Sequence, residues 1–345
     1  MKFGLSEEQA FLQTTVTKFL TDQAPLATVR EIAAGNASDQ EIWQGLAQLG
    51  VPGIIIPEAL GGVGLGCLDA AVIAECLGYH VTPGPFITSA AMAPVPLIAA
   101  GREDLLAAIA SGEHRVGMAF GEAIGARNDA GVSVEAGKMT GKSIFVLDGE
   151  ADSYLIATPA KSIYWVNAGD IERTALTTVD RTRSTCELVF SATAVELICD
   201  DEETYNRTVD MGRVMQAADT LGAAQSMLDQ SVAYAKERKQ FNRLIGSFQA
   251  VKHMCADMAA DLEPCRSMIW YAAHAMDEIP EEARLVACHA KAHLSEVGKA
   301  VAKTATEVHG GMGFTDLLGL HFWFKRIGAN RQLLGSPELL REEAA

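Results

Sequence analysis

Apolar positions along the chain fall into three successive patterns. From residue 1 to about 113 they recur at helical spacing. Ser6 precedes Glu7 and Glu8, and an apolar period follows through Phe11, Val16, Phe19 and Leu20, which predicts an N-terminal helix. A second helix is expected near Glu41–Leu49, stopping at Gly50 with Pro52 just beyond, and a third over Leu68–Leu77, stopping at Gly78. Pro83-Gly84-Pro85 reads as a turn. From 114 to about 198 the apolar runs shorten and β-branched residues increase. Val116–Phe120, Val132–Glu135, Ser143–Leu147, Tyr154–Thr158, Ile163–Val166 and Leu188–Phe190 are strand candidates.

From about 202 the helical period returns and persists. One helix is expected from Glu202 to about Ala235. The next carries Phe248, Val251, Cys255, Met258, Leu262, Cys265 and Ile269, whose alternating spacings of 3 and 4 put all seven on one face. A third carries Leu294, Val297, Val301, Ala305 and Val308. Long helices with apolar seams pack as a bundle. The expected fold is therefore α+β, mostly α. It has an N-terminal helical domain (1–113), a middle antiparallel β domain (114–198) and a C-terminal four-helix-bundle-like domain (199–345). No internal repeat is visible.

Charge narrows the functional classes. The net charge of −16 and the absence of a basic face argue against nucleic-acid binding. The run Asp200-Asp201-Glu202-Glu203 fits a solvated helix start, because carboxylates favour a helix N-terminus. Seven cysteines without a Cys-x-x-Cys pair do not form a disulfide framework, and Cys255 and Cys265 belong to an apolar stripe. No signal peptide opens the chain, and no apolar run reaches the roughly 18 residues of a membrane span. The expected compartment is the cytoplasm.

Three segments could approach phosphate. Gly61-Gly62-Val63-Gly64-Leu65-Gly66 fails the dinucleotide fingerprint, since position 67 is Cys67 and no βαβ unit surrounds it; a structural loop is the plainer reading. His309-Gly310-Gly311-Met312-Gly313-Phe314 holds more glycine than a helix cap needs and would let a large group rest against backbone. In Glu237-Arg238-Lys239-Gln240-Phe241 an arginine fork suits a pyrophosphate and a neighbouring phenylalanine suits an adenine ring. His289 and His293 have the i, i+4 spacing of metal ligands, but no third ligand lies near them in sequence.

Taken in order, these segments resemble the acyl-CoA dehydrogenase family. Pro57-Glu58-Ala59-Leu60-Gly61-Gly62-Val63-Gly64-Leu65-Gly66 resembles its Pro-Glu-x-x-Gly-Gly-x-Gly-Leu-Gly loop. Arg238-Lys239-Gln240-Phe241, followed by Gly246, Phe248 and Gln249, resembles its Arg-x-x-Phe signature. Asp180-Arg181-Thr182-Arg183 resembles a β-domain turn, and Glu307 to Phe314 resembles Gln-x-x-Gly-Gly-x-Gly-Phe. The resemblance implies FAD lying across a subunit interface. It places Arg238 on the pyrophosphate and Gln240, Phe241, Ile245 and Phe248 around the ADP portion. Gly310 and Gly311 would give close backbone approach, and Glu307 stands where the family has Gln.

The departures from the family pattern cluster in the other half of the site. Its flavin-contact stretch, Thr-Glu-Pro then Gly-Ser-Asp, is Gly121-Glu122-Ala123 here, without the Gly-Ser-Asp. Its Trp-Ile-Thr-Asn-Gly is Phe145-Val146-Leu147-Asp148-Gly149, so Gly121 and Leu147 bring no hydroxyl donor. The reaction removes a proton α to a thioester and needs a positioned carboxylate. The two places where the family keeps that Glu are Leu334 and Gly212 here, and the offsets of Asp210 and Glu338 would misplace them. No catalytic residue is therefore assigned to this chain. The resemblance implies the smaller subunit of an α2β2 heterotetramer, of the kind known in steroid-degrading bacteria, which Thr82-Pro83-Gly84-Pro85-Phe86 also resembles. A base-bearing partner subunit, an acyl-CoA substrate and an electron-transfer flavoprotein are the implied associates. Two other readings stay open: a homomeric, oxidase-like flavoprotein of the same fold, and a non-enzymatic scaffold or regulatory subunit.

Overall fold

The structure is a computed structural model that describes residues 4–128 and 130–345. Helix α1 (Glu7–Gln23) starts as the pattern requires: the Ser6 hydroxyl accepts from the Gln9 N–H at 3.1 Å, and the Gln9 side chain accepts from the Ser6 N–H at 3.0 Å. Helices α2 (Leu26–Ala34) and α3 (Gln40–Gln48) follow, and the chain leaves α3 through Gly50 in the left-handed region. After a glycine-rich loop come α4 (Cys67–Tyr79), a buried π-helical segment (Phe86–Met92), α5 (Pro94–Ala99) and α6 (Glu103–Ala110).

Gly78 does not stop α4, which continues to Tyr79. A Cβ there would clash with the Asp219 carbonyl oxygen on the long helix α7 (Glu202–Glu237), and one at Gly222 would clash with the Glu75 carbonyl. The two glycines let α4 and α7 cross with backbones touching.

The sheet comprises β1 (Val116–Ala119), β2 (Gly131–Glu135), β3 (Lys138–Leu147), β4 (Ser153–Ala157), β5 (Ile163–Asn167), β6 (Glu172–Leu176), β7 (Thr185–Ala194) and β8 (Glu196–Cys199). Their order is β6-β7-β3-β1-β4-β5-β8, with β2 pairing β3 away from this path. The pairings are antiparallel as expected, except that β1 runs parallel to β4 in the register Met118↔Leu155. Two strands lie outside the sequence expectation. In β6 four of five residues are exposed, so it carries no apolar alternation to read. Strand β8 buries only Ile198.

Helix α7 begins at Asp201, whose side chain accepts from the Thr204 N–H at 2.7 Å. It packs with α8 (Gln249–Glu278), α9 (Pro280–His309) and α10 (Leu320–Gln332), and α11 (Pro337–Glu343) closes the chain. On α8 the expected stripe buries Met258, Leu262, Cys265 and Ile269, while Val251 and Cys255 are half-buried.

One buried polar cluster ties these parts together. The Arg326 guanidinium on α10 reaches Asp180 Oδ2 and Asp219 Oδ2, each at 3.1 Å, and the Thr82 carbonyl at 3.0 Å. Arg183 pairs with Asp219 at 2.8 Å, and Asn330 donates to the same carboxylate at 2.7 Å. The Asp180–Arg183 turn is thereby locked against the bundle. Buried charges with several partners fix a geometry that a lone pair would not.

Candidate functional site

Two regions gather the residues singled out above. The first lies where α7 ends. Lys239–Gln240 pairs antiparallel with Arg243–Leu244, and the connecting residues Phe241 and Asn242 have φ of 52° and 62°. A bulky residue in the left-handed region is uncommon, and here it lifts Phe241 to 88% exposure. The hairpin is pinned from below by the Ile245 N–H donating to the Arg238 carbonyl at 2.8 Å, and by Gly246 against the Ala235 carbonyl. The Arg243 guanidinium sits 3.9 Å from the Phe248 ring centre. Arg238 and Gln240 are exposed, Ile245 and Phe248 half-buried. Among the described residues the Arg238 guanidinium has no hydrogen-bond or ion-pair partner.

The glycine segment adjoins this hairpin, because Tyr234 near the end of α7 stacks on His309 at the end of α9, with centroids 4.7 Å apart. The three glycines have different causes. Gly310 terminates α9 at φ 59°, and Gly313 packs against the Thr306 carbonyl. Gly311 has neither a positive φ nor any neighbour within 4 Å of a would-be Cβ. Nothing in the chain's own packing excludes a side chain there; what the glycine leaves is open room on the surface. Glu307 is exposed and lies 3.8 Å from Lys303.

The second region is a cavity of about 420 Å³ between the sheet, the π-helical segment, α7 and the α10–α11 link. Gly121, Leu147 and Leu334 all line it. A Cβ at Gly121 would find no atom closer than 4.0 Å, so its lost side chain leaves empty space. Leu334 adopts φ 57° and is 5% exposed. Its Cδ1 and the Met92 sulfur each lie 2.5 Å from where a Gly212 Cβ would sit. The two positions expected to lack a base therefore meet, and both are apolar.

The two carboxylates nearest in sequence are each engaged in ion pairs. Asp210 is buried and bonded to Arg213 at 3.0 Å and Arg284 at 3.3 Å. Arg213 also pairs with Glu343 at 2.7 Å and donates to the Leu334 carbonyl at 3.1 Å. Glu338 is exposed and pairs with Arg331 at 3.0 Å.

Two polar residues of the cavity lining, Gln216 and Asp148, were assigned no role from the sequence. Gln216 lies on the buried face of α7, and among the described residues neither of its amide atoms has a partner. Asp148 accepts from Ser184 through Oδ1 at 3.3 Å and faces Arg115 at the same distance, while among the described residues its Oδ2 has no partner. Burial pushes the Asp148 carboxyl up to about 6, against the pull of Arg115. Gln216 shares its side of α7 with the buried Arg213, Asp219 and Thr220, so no apolar stripe in the sequence marked it out.

The glycine loop at 61–66 is structural. Gly62 abuts the Ile56 carbonyl, and Gly66 receives α4 with its N–H donating to Asp69. His289 and His293 are both exposed, and among the described residues no three side chains form a metal site.

Comparison with known proteins settles the family. The N-terminal domain of acyl-CoA dehydrogenases matches residues 6–113, and the family's C-terminal domain matches residues 203–345. The chain belongs to the acyl-CoA dehydrogenase family. It is 32% identical to acyl-CoA dehydrogenase IpdE2 of Mycobacterium tuberculosis, over 97% of this chain and 96% of that one. The Mycolicibacterium smegmatis protein of that name is 30% identical over 99% of both. Among solved structures, the ChsE4-ChsE5 complex of M. tuberculosis matches with a TM-score of 0.89 and 25% identity, over 99% of this chain and 97% of that one. The Tcur3481-Tcur3483 steroid ACAD matches with 0.88 and 26%, over 98% and 96%. Members of this acyl-CoA dehydrogenase family are oxidoreductases that use FAD. The surface at Gly311 is open, and Phe241 on the hairpin is exposed. Gly121 and Leu147 in the cavity wall carry no side-chain hydrogen-bond donor.

Proposed function

We propose that this chain is the base-lacking subunit of a heteromeric, FAD-dependent acyl-CoA dehydrogenase and lends the ADP-binding half of the cofactor site to a base-bearing partner. One observation carries the reading: Leu334, in the cavity wall, packs against Gly212 behind it, so the two positions where the family keeps its proton acceptor are both apolar and fill each other's space. Arg238 would pair with the pyrophosphate through its guanidinium fork. Gln240, Phe241, Ile245 and Phe248 would border the ADP portion, and Gly310 and Gly311 would admit it against backbone. Glu307 would face the same group less favourably than the family's Gln, through its negative charge. Bound FAD supplies the hydride acceptor for the β-hydrogen. Within the assembly this chain orients the cofactor, and proton abstraction falls to the partner's carboxylate.

Exposed apolar side chains beside the hairpin support an assembled state. Phe314 and Leu317 are 82% and 79% exposed, a pattern that marks interaction surfaces. The heterotetramer, the electron-transfer flavoprotein as electron acceptor, and a cytoplasmic setting complete the reading. We further infer a steroid side-chain CoA ester as substrate, which rests on the similarity to the Tcur3481-Tcur3483 steroid ACAD. The test is expression alone and together with the partner. Little flavin is expected in the chain alone, and stoichiometric flavin in the complex. A yellow homomer that dehydrogenates acyl-CoA would overturn the reading.

A further inference from the structure

The loop that joins α9 to α10, residues 310–319, begins with Gly310 and Gly311 and ends at Gly319, whose φ is 70°. Its buried residues are Gly313 and Gly319, and a glycine brings no side chain into the core. Met312, Thr315 and Leu318 are half-buried, while Phe314 and Leu317 are largely exposed. Within the loop the Thr315 N–H and hydroxyl donate to the Met312 carbonyl, at 3.1 and 2.8 Å. Such bonds shape a turn but do not fix where the turn sits.

The anchor comes from the other end of the chain. Arg30 on α2 donates through Nη2 to the carbonyls of Asp316 and Leu317, the latter at 3.1 Å. Its Nη1 faces the Asp316 carboxylate at 3.4 Å, and the guanidinium lies 5.8 Å from the centre of the Phe322 ring. His321 also approaches Asp316, at 3.3 Å, but from α10 itself. Among the described residues, Arg30 alone hydrogen-bonds residues 310–319 to a segment other than α9 and α10. Gly319 is shaped for this contact: a Cβ there would stand 2.8 Å from Arg30 Nη2 and 2.8 Å from Leu26 Cδ2. A planar guanidinium offers several donors in fixed directions and can hold two successive carbonyls at once, whereas an ammonium lacks that fixed fork.

We propose that Arg30 is a positioning residue for the cofactor site: from the N-terminal domain it holds the 310–319 loop in the form that receives the ADP end of FAD. Arg30 acts through the loop and not on the cofactor itself. The inference rests on the reading that Gly310 and Gly311 border the ADP portion. A loop held in place beforehand has less freedom to lose on binding, so untying it lowers affinity without removing any contact to the ligand.

The test uses Arg30→Ala, Arg30→Lys and, as a stability control, Val29→Ala, which trims the fully buried neighbour on α2. Amide hydrogen exchange of the full chain alone reads the loop and needs neither flavin nor partner. Titration of FAD into the flavin-stripped complex reads the cofactor. Arg30→Ala should speed exchange across residues 312–319 and weaken FAD binding by about 10-fold, as loss of loop preorganisation implies. Arg30→Lys should recover part of both effects. Val29→Ala should lower the thermal midpoint more than Arg30→Ala does, with loop exchange and FAD affinity kept. Unchanged loop exchange in Arg30→Ala would show that the loop stands without its tether and end the proposal. So would a loss of FAD affinity in Val29→Ala as large as in Arg30→Ala, which would assign the effect to general stability. Arg238→Ala, run alongside, separates this proposal from the ADP reading. Weakened FAD binding there beside unchanged binding in Arg30→Ala ends the positioning role alone, and unchanged binding in both ends both.

Discussion

Replacing Arg238 with alanine separates the cofactor role from the fold. The side chain is exposed and has no partner among the described residues. Removing it should change the stability of this chain by no more than about 0.5 kcal/mol, as for other surface positions. In the complex the same guanidinium would be desolvated against a pyrophosphate. Truncating one side of such a charged pair costs about 2–5 kcal/mol, which corresponds to a loss of about 30- to 5,000-fold in FAD affinity. The assay is titration of FAD into the flavin-stripped complex, with the thermal midpoint of the isolated chain as the fold control. Unchanged FAD affinity with an intact complex would refute the pyrophosphate assignment. A fall in the thermal midpoint of the isolated chain would mean that Arg238 has a structural role the geometry does not show.

Leu334→Glu should give no acyl-CoA dehydrogenation by the isolated chain if, as proposed, the cleft beside the new carboxylate holds no flavin; flavin bleaching on mixing with acyl-CoA would contradict this. Gly212→Glu should lower the thermal midpoint sharply, since even its Cβ meets Leu334 and Met92 at 2.5 Å, and overpacking by this much costs about 1–3 kcal/mol or more. In the heteromer, Asp210→Asn or Glu338→Gln should leave the rate of flavin reduction nearly intact where the complex assembles. A collapse of that rate with FAD still bound would place the base in this subunit. The Asp148 carboxyl, raised to about 6 from an ordinary value of 3.8, favours its protonated form in the folded chain. That contribution is fully present below the ordinary value and is lost as pH rises through about 6. Stability relative to Asp148→Asn should therefore decline across this window, and a difference that stays flat from acid to neutral pH in denaturant titrations would argue against the burial.

The amino-acid sequence alone determined what depends on neighbours along the chain. Helical periods placed α7, α8 and α9, because an apolar stripe at spacings of 3 and 4 has one way to hide. Ser6 and Asp201 marked helix starts through hydrogen bonds that span only three residues. The apolar character of the two positions where the family keeps its Glu was readable too, since Leu334 and Gly212 lack a carboxylate in any fold. Other features come from residues far apart in sequence. Strand β6 is exposed along most of its length and exists through its partner β7, so no alternation announced it. The parallel seat of β1 beside β4 is a choice of topology that neither strand's composition encodes. Gly78 resembled a helix stop and proved to be a crossing point, because its reason, the carbonyl of Asp219, is supplied by another helix. Gln216 and Asp148 show the limit most clearly. Each is an ordinary polar residue in its own segment, and only tertiary packing buries them both beside one cavity.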